Sequence, residues 1–174
     1  SMDLPWSVQA GISFRPIPEL EIDAWYRWQQ SSDAPYWEVL IREASSDAIQ
    51  DTSKLQGYRN RHYARLRLAY QVIAPLNLAF FTSLQTNTVP EATATPNNVD
   101  FHRINLGLQA RWRVHEHVAL SLQYDHVFLV EREVTTSLHQ PINDPAFDNF
   151  NHPSPLGTWS GSADTLILGT ELLF

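Results

Sequence analysis

The chain has 174 residues, of which 43% are hydrophobic and 18% charged, and its formal net charge at pH 7 is −7. The acidic balance argues against a nucleic-acid partner, whose phosphates need a basic surface, and the lack of cysteine excludes disulfides and thiolate metal sites. No run approaches the ~18–20 consecutive apolar residues of a membrane-spanning helix. The first residues, Ser1-Met2-Asp3, lack the pattern of a signal peptide.

Seven segments alternate apolar and polar residues with the period of two that is typical of β-strands. A helical interpretation fails in the fifth segment. At helical spacing Arg111 and Arg113 would share a face with Leu106 and Leu108, whereas at strand spacing the arginines and the leucines lie on opposite faces. Each segment has about ten residues, the length that a tilted strand needs to cross a membrane. The predicted strands are 6–15, 20–28, 63–73, 76–86, 104–114, 118–130 and 165–174.

The connections between these segments alternate between short and long. The short ones are 16–19, 74–75 and 115–117, and the long ones are 31–61, 87–102 and 131–164. Short periplasmic turns and long external loops are the rule in outer-membrane barrels. Together with aromatic residues near the strand ends, this pattern predicts an all-β, antiparallel up-and-down transmembrane β-barrel. The alternative, a soluble antiparallel sandwich, usually has shorter strands and shorter loops.

An odd strand number raises a problem of closure, because an open sheet leaves two unpaired edges in lipid. Three explanations are open. The chain lacks at least one upstream strand, two copies close one fourteen-stranded barrel as a homodimer, or a crossing lies unrecognised within 36–41. We favour the first. Residues 1–174 are accordingly predicted to form a single barrel domain or the C-terminal half of a barrel, with residues 1–2 as an expression remnant.

Several motifs, in their order along the chain, resemble the C-terminal half of the FadL-type outer-membrane transporters of long-chain fatty acids and hydrocarbons. They are Leu4-Pro5-Trp6, Phe14-Arg15-Pro16-Ile17-Pro18, Trp25-Tyr26-Arg27-Trp28-Gln29-Gln30, Thr86-Asn87-Thr88-Val89-Pro90, Thr95-Pro96-Asn97-Asn98-Val99-Asp100-Phe101-His102-Arg103 and Gln123-Tyr124-Asp125-His126-Val127-Phe128. Asn98 departs from the aspartate of the family's Pro-Asp-x-Asp-Arg step, and the family's N-terminal plug has no counterpart. The resemblance implies a fourteen-stranded barrel in the bacterial outer membrane, with passive uptake toward a lateral exit.

The predicted inward faces carry arginines together with acidic and aromatic residues. One interpretation is a ladder of ion pairs that fills and stiffens the lumen. The other is a pathway whose guanidinium groups bind a substrate carboxylate, with aromatic residues beside the acyl tail. The candidate substrate-binding residues are Arg65, Arg67, Arg111, Arg113, Trp25 and Phe81. The expected partners are hydrophobic small molecules such as fatty acids, outer-membrane lipid and lipopolysaccharide.

Two other functions are open, a structural barrel and a lipid hydrolase. His152-Pro153-Ser154, with Asp148 nearby, has the composition of a nucleophilic site, but it lies in a proline-rich loop. His115-Glu116-His117 holds two histidines and no evident third ligand. Inward-facing Gly11, Gly107 and Gly169 are candidate positions for bulges or bends. We predict no enzyme activity, no metal site and no cofactor.

Overall fold

The structure, a computed structural model, describes residues 6–32, 36–39, 52–55, 57–94, 98–137 and 155–172. Within these ranges the chain forms β-strands and one short 3-10 helix, Glu91–Thr93, and no α-helix. The strands are β1 (Ser7–Ile17), β2 (Leu20–Gln29), β3 (Tyr36–Val39), β4 (Thr52–Leu55), β5 (Arg61–Ile73), β6 (Leu76–Gln85), β7 (Arg103–His115), β8 (Val118–Val134) and β9 (Gly157–Leu172).

No helix in the described part of the chain is long and apolar enough to span a membrane.

Seven strands form one antiparallel sheet in the order β1-β2-β5-β6-β7-β8-β9, so each strand pairs with the next strand of this sheet along the chain. The predicted all-β, up-and-down sheet is therefore confirmed. The short strands β3 and β4 pair only with each other in a separate two-stranded sheet. The idea of an unrecognised crossing within 36–41 is wrong for the residues that can be described, since β3 has four residues and does not join the large sheet.

The register of the large sheet keeps apolar residues beside apolar residues across all seven strands. One row consists of Phe14, Ile22, Leu68, Phe80, Leu108, Tyr124 and Leu166. The neighbouring row on the other face consists of Ser13, Asp23, Arg67, Phe81, Gly107, Asp125 and Thr165. A slip of one residue would mix the two faces, so the alternation in the sequence specifies this register.

The two faces differ in exposure in a way that a water-soluble sheet would not tolerate. The apolar face is open, with Leu108 60% and Leu168 77% exposed. The polar face is the crowded one, because Ala79, Phe81 and Asp125 are all buried on it. Crowding on one face is expected on the inner side of a curved sheet, where side chains converge. The polar face is therefore the inward face, and the apolar face is the outward one.

The sheet is open, and its two edges run in the same direction. β1 and β9 each pair on one side only, and seven alternating strands give the first and the last the same direction. Two copies with the same orientation in a membrane would therefore meet through parallel β1–β9 seams. Antiparallel closure instead needs an odd number of additional strands between these edges.

Two details of the sequence prediction are wrong. β8 continues to Val134 and β9 begins at Gly157, so the connection predicted for 131–164 is shorter. A bulge between Leu129 and Arg132 interrupts the alternation of apolar and polar residues on β8. The sequence pattern therefore does not reveal the parts of β8 and β9 that pair beyond the bulge. The other irregularities adjoin the short turns. None falls at Gly11, Gly107 or Gly169, so these glycines do not mark bulges.

Candidate functional site

The inward face near the short turns is held by a cluster of ion pairs. Arg67 of β5 donates to Asp23 Oδ2 at 2.7 Å and to Glu21 Oε1 at 3.0 Å, both on β2. Arg15 of β1 binds the other oxygen of Glu21 at 2.6 Å. The charge of Arg67 is thus matched by carboxylates of the sheet itself, across a directly opposed strand pair. In this geometry Arg67 acts as a cross-strand tie between β2 and β5.

Arg111 and Arg113 occupy successive inward positions on β7 and have different surroundings. Arg111 donates through Nε and Nη2 to Glu171 Oε2 at 2.9 and 2.6 Å, reaching over β8 to β9. Arg113 is exposed near the end of β7 and has no ion-pair partner in the described part of the chain. Of this pair, only Arg113 retains an uncompensated charge.

Arg65 lies at the middle of the inward face, between aromatic residues. It is directly opposite Trp25 on β2 and Ser83 on β6. Its guanidinium carbon lies 5.1 Å from the centre of the Phe81 ring, within the range of a cation–π contact. No carboxylate among the described residues pairs with it. Arg65 is thus a half-buried cation whose hydrogen-bond donors are not matched by an acidic side chain.

An aromatic wall borders Arg65 on the side of the long loops. The rings of Trp25 and Tyr63 stack at 4.7 Å with an interplanar angle of 20°, and the guanidinium of Arg27 lies 5.8 Å from the Tyr63 ring centre. Tyr63 is not among the candidate residues from the sequence. Its inward parity with Trp25 was the signal that could have identified it.

Phe81 lies beneath this surface rather than on it. Only 5% of the residue is exposed, and its ring extends across the neighbouring strand above Gly107. A Cβ at Gly107 would overlap the Phe81 ring and lie 2.7 Å from Asp125 Oδ1. Gly107 therefore leaves the space that the Phe81 ring occupies, and the ring in turn contacts Arg65.

Replacing Arg67 with glutamine should destabilise the sheet, because Asp23 would lose its arginine partner and Glu21 would keep only its ion pair with Arg15. We expect a loss of about 1–3 kcal/mol in the free energy of unfolding, as is typical for lost hydrogen bonds to charged groups. Urea-induced unfolding in detergent micelles would measure it. The matched control is Arg113→Gln, which should stay within about 0.5 kcal/mol of the unmodified protein. Equal losses in both variants would contradict the assignment of Arg67 as a tie.

At the opposite end of the sheet, Asp100 anchors the connection between β6 and β7. It is 8% exposed, and its Oδ2 accepts hydrogen bonds from the Thr88 N–H, the Thr88 hydroxyl and Arg61 Nη2 at 2.8 to 2.9 Å. Burial alone would raise the pKa of Asp100, but these hydrogen bonds and the charge of Arg61 hold the pKa below its ordinary value.

This lowered pKa predicts a pH dependence with a definite sign. A carboxyl group whose pKa is lower in the folded state adds stability above its unfolded pKa, which is about 3.9 for aspartate. That stability is lost as the pH falls through the folded pKa. The unmodified protein should therefore be more stable than Asp100→Asn at pH 7, and the difference should shrink as the pH is lowered below about 4. A difference that does not vary with pH in urea titrations would contradict this.

Of the two rival sites from the sequence, only the histidine pair lies on described residues. His152, Ser154 and Asp148 lie outside the described residues. His115 and His117 flank a short turn with ring centres 5.7 Å apart, and the described residues contain no group of three metal-ligating side chains.

The open apolar face, the inward charged face and the up-and-down order define one class of fold, a portion of a transmembrane-type β-barrel. Within that class, the chain is similar to the crystal structure of a Pseudomonas aeruginosa FadL homologue. The TM-score is 0.61 at 16% identity, over 97% of this chain and 34% of that one. The resemblance noted in the sequence therefore extends to the fold, and the chain spans about a third of that protein's length.

No protein-family model matches the chain, and no curated protein matches it significantly by sequence.

Proposed function

We propose that the chain forms part of an outer-membrane channel that admits hydrophobic compounds such as long-chain fatty acids by passive diffusion. The observation that carries this proposal is Arg65, a half-buried guanidinium without a carboxylate partner among the described residues, set beside Trp25 and above Phe81. A guanidinium group binds a carboxylate with two parallel hydrogen bonds. The FadL-like fold supports the same function, and no chemical step or cofactor is required.

The geometry separates the six candidate residues into different proposed roles. Arg65 would bind the cargo carboxylate, and Trp25, stacked on Tyr63, would contact the acyl chain. Phe81 would support Arg65 from below. Arg67 and Arg111 are neutralised by Glu21, Asp23 and Glu171, so we assign them to the framework. We propose Arg113, exposed near the short-turn end, as a secondary contact along the path.

The proposed location is the bacterial outer membrane, where the apolar face would contact lipid acyl chains and the long loops would meet lipopolysaccharide. Closure of the sheet is also a proposal. Because β1 and β9 run in the same direction, an odd number of additional antiparallel strands fits these edges better than a second copy of the chain. The protein mass of the detergent-solubilised particle distinguishes a homodimer from a single chain, since a homodimer would show twice the mass of one chain.

Equilibrium binding to the folded protein in detergent micelles tests the proposed function. A radiolabelled long-chain fatty acid should bind saturably, and its methyl ester, which lacks the carboxylate, should bind at least about tenfold more weakly. A structural barrel would bind neither compound, which would overturn the proposal. A lipid hydrolase would convert the ester to the free acid during the incubation, and chromatography of the recovered ligand would detect that product.

A further inference from the structure

The connection between β6 and β7 does not extend away from the sheet. It packs against the outer end of the sheet through a small apolar cluster of Val89, Ala94 and Val134, each no more than 2% exposed. Tyr58, which precedes β5, and Trp159 of β9 pack against this cluster. Such burial is unusual for a barrel's long loop, since connecting segments commonly run over the protein surface.

The β8 bulge determines the face on which this cluster forms. Below the bulge, Leu129 faces inward, opposite Gly161 of β9. Above it, Arg132 is opposite Trp159 and Val134 is opposite Gly157. The inward-facing residues of β8 are therefore odd-numbered below the bulge and even-numbered above it. A bulge redirects side chains in this way. Arg132, Val134 and Trp159 therefore all belong to the inward face, and the segment that they hold lies over the inner side of the sheet.

Two arginines fasten the segment from different strands. Arg132 of β8 donates to the carbonyl oxygens of Asp100 and Val89 at 2.6 and 2.8 Å. Arg61 of β5 donates to Asp100 Oδ2 at 2.9 Å and to Thr88 Oγ1 at 3.2 Å. Both ends of the connection between β6 and β7 are thereby attached to β5 and β8.

A second fastening joins the same segment to the residues that follow β8. Glu91 Oε1 accepts the Thr135 N–H at 2.6 Å, the Thr135 hydroxyl at 2.7 Å and the Thr136 N–H at 3.1 Å. These hydrogen bonds hold the pKa of Glu91 below its ordinary value. The Ser137 hydroxyl donates to Ala94 O at 2.7 Å. Two long connections are thus joined to each other above the inward face.

We propose that residues 86–94 and 98–102 form a fixed cap, folded inward at the outer end of the sheet, which limits the size of molecules that reach the inward face. Its rigidity follows from the buried apolar cluster and the two fastenings and does not depend on any cargo. Its role at the entrance rests on the proposed function. A size limit set by a fixed cap predicts that access widens when a fastening is removed, without any change at Arg65.

Hydrogen–deuterium exchange of the full chain, folded in detergent micelles, tests the rigidity. The backbone amides of Thr88, Thr135 and Thr136 should exchange slowly. Asp100→Asn should accelerate exchange at Thr88 by at least about tenfold, and Glu91→Gln should do so at Thr135 and Thr136. Glu19→Gln, in an exposed turn at the opposite end, should change none of the three. Fast exchange at these amides in the unmodified protein, or equal effects of all three variants, would overturn the proposal.

Thiol labelling tests the size limit separately. Since the chain has no native cysteine, Ala163→Cys places a single thiol on the exposed inward side of β9, below the cap. In lipid vesicles, Glu91→Gln should raise the labelling rate of a polymer-linked maleimide several-fold more than that of N-ethylmaleimide. Equal acceleration, or none, would overturn the size limit. Loss of fatty-acid binding with both results intact would instead count against the proposed function alone.

Discussion

Arg65→Gln is expected to weaken the binding of a long-chain fatty acid by about 10- to 100-fold, which corresponds to the 1.5–3 kcal/mol typical of hydrogen bonds to a charged group. The physical reason is that Arg65 is a half-buried cation of the inward face without a partner carboxylate in the described residues. Equilibrium binding with the radiolabelled acid would measure the loss. Arg65→Lys should recover only part of the affinity, because an ammonium group cannot bind a carboxylate in the same bidentate manner.

The methyl ester of the same acid is the internal control for this result. Its affinity should change less than about threefold in Arg65→Gln, since the ester carries no charge for the guanidinium to bind. Equal losses for acid and ester would show that the substitution disturbs the pathway in general. Unchanged affinity for the acid would remove Arg65 from the site, and the interpretation of these arginines as a structural ladder would then be preferred.

The second large effect is expected at Gly107, where any side chain would collide with Phe81. Gly107→Val should cost about 1–3 kcal/mol of unfolding free energy, as overpacking of a crowded interior commonly does. It should also weaken fatty-acid binding, because displacement of the Phe81 ring removes the support beneath Arg65. Urea-induced unfolding and equilibrium binding on the same preparation would measure both effects.

Gly161→Val is the matched control for Gly107→Val. A Cβ at Gly161 meets only the end of the Leu129 side chain, at 3.3 Å, and Gly161 is an exposed residue on edge strand β9. Its stability should therefore change little, and its fatty-acid affinity should be unaffected. A Gly107→Val protein that is as stable as Gly161→Val and keeps its affinity would contradict the packing described for Phe81.

The strands and their faces could be predicted from the sequence because a strand's alternation is local. The pairs Ile22–Leu68 and Asp23–Arg67, for example, follow once neighbouring strands are aligned by their apolar faces. The prediction ended where the alternation ended. Above Leu129 the bulge exchanges the inward-facing and outward-facing positions of β8. The sequence pattern therefore predicts Arg132 and Val134 to be loop residues, although they lie on β8.

The sequence could predict which residues share the inward face, but not the separate role of each one. Sequence parity placed Arg65 and Arg67 on the same face, but it could not show that Arg67 is bound by two carboxylates and Arg65 by none. That difference depends on how strand pairs place side chains, including the diagonal reach of Glu21. The burial of Phe81 over Gly107 depends on a side-chain conformation, which no periodic pattern encodes.

Quenching of single tryptophans by lipids brominated on their acyl chains would test the central claim, that the apolar face contacts lipid and the charged face lines the interior. Two proteins would each retain one of the six tryptophans, the others being changed to phenylalanine. Trp112 lies on the outward face and is 55% exposed, whereas Trp25 lies inward beside Arg65. The account predicts strong quenching of Trp112 and weak quenching of Trp25. Equal quenching of the two, or stronger quenching of Trp25, would contradict it.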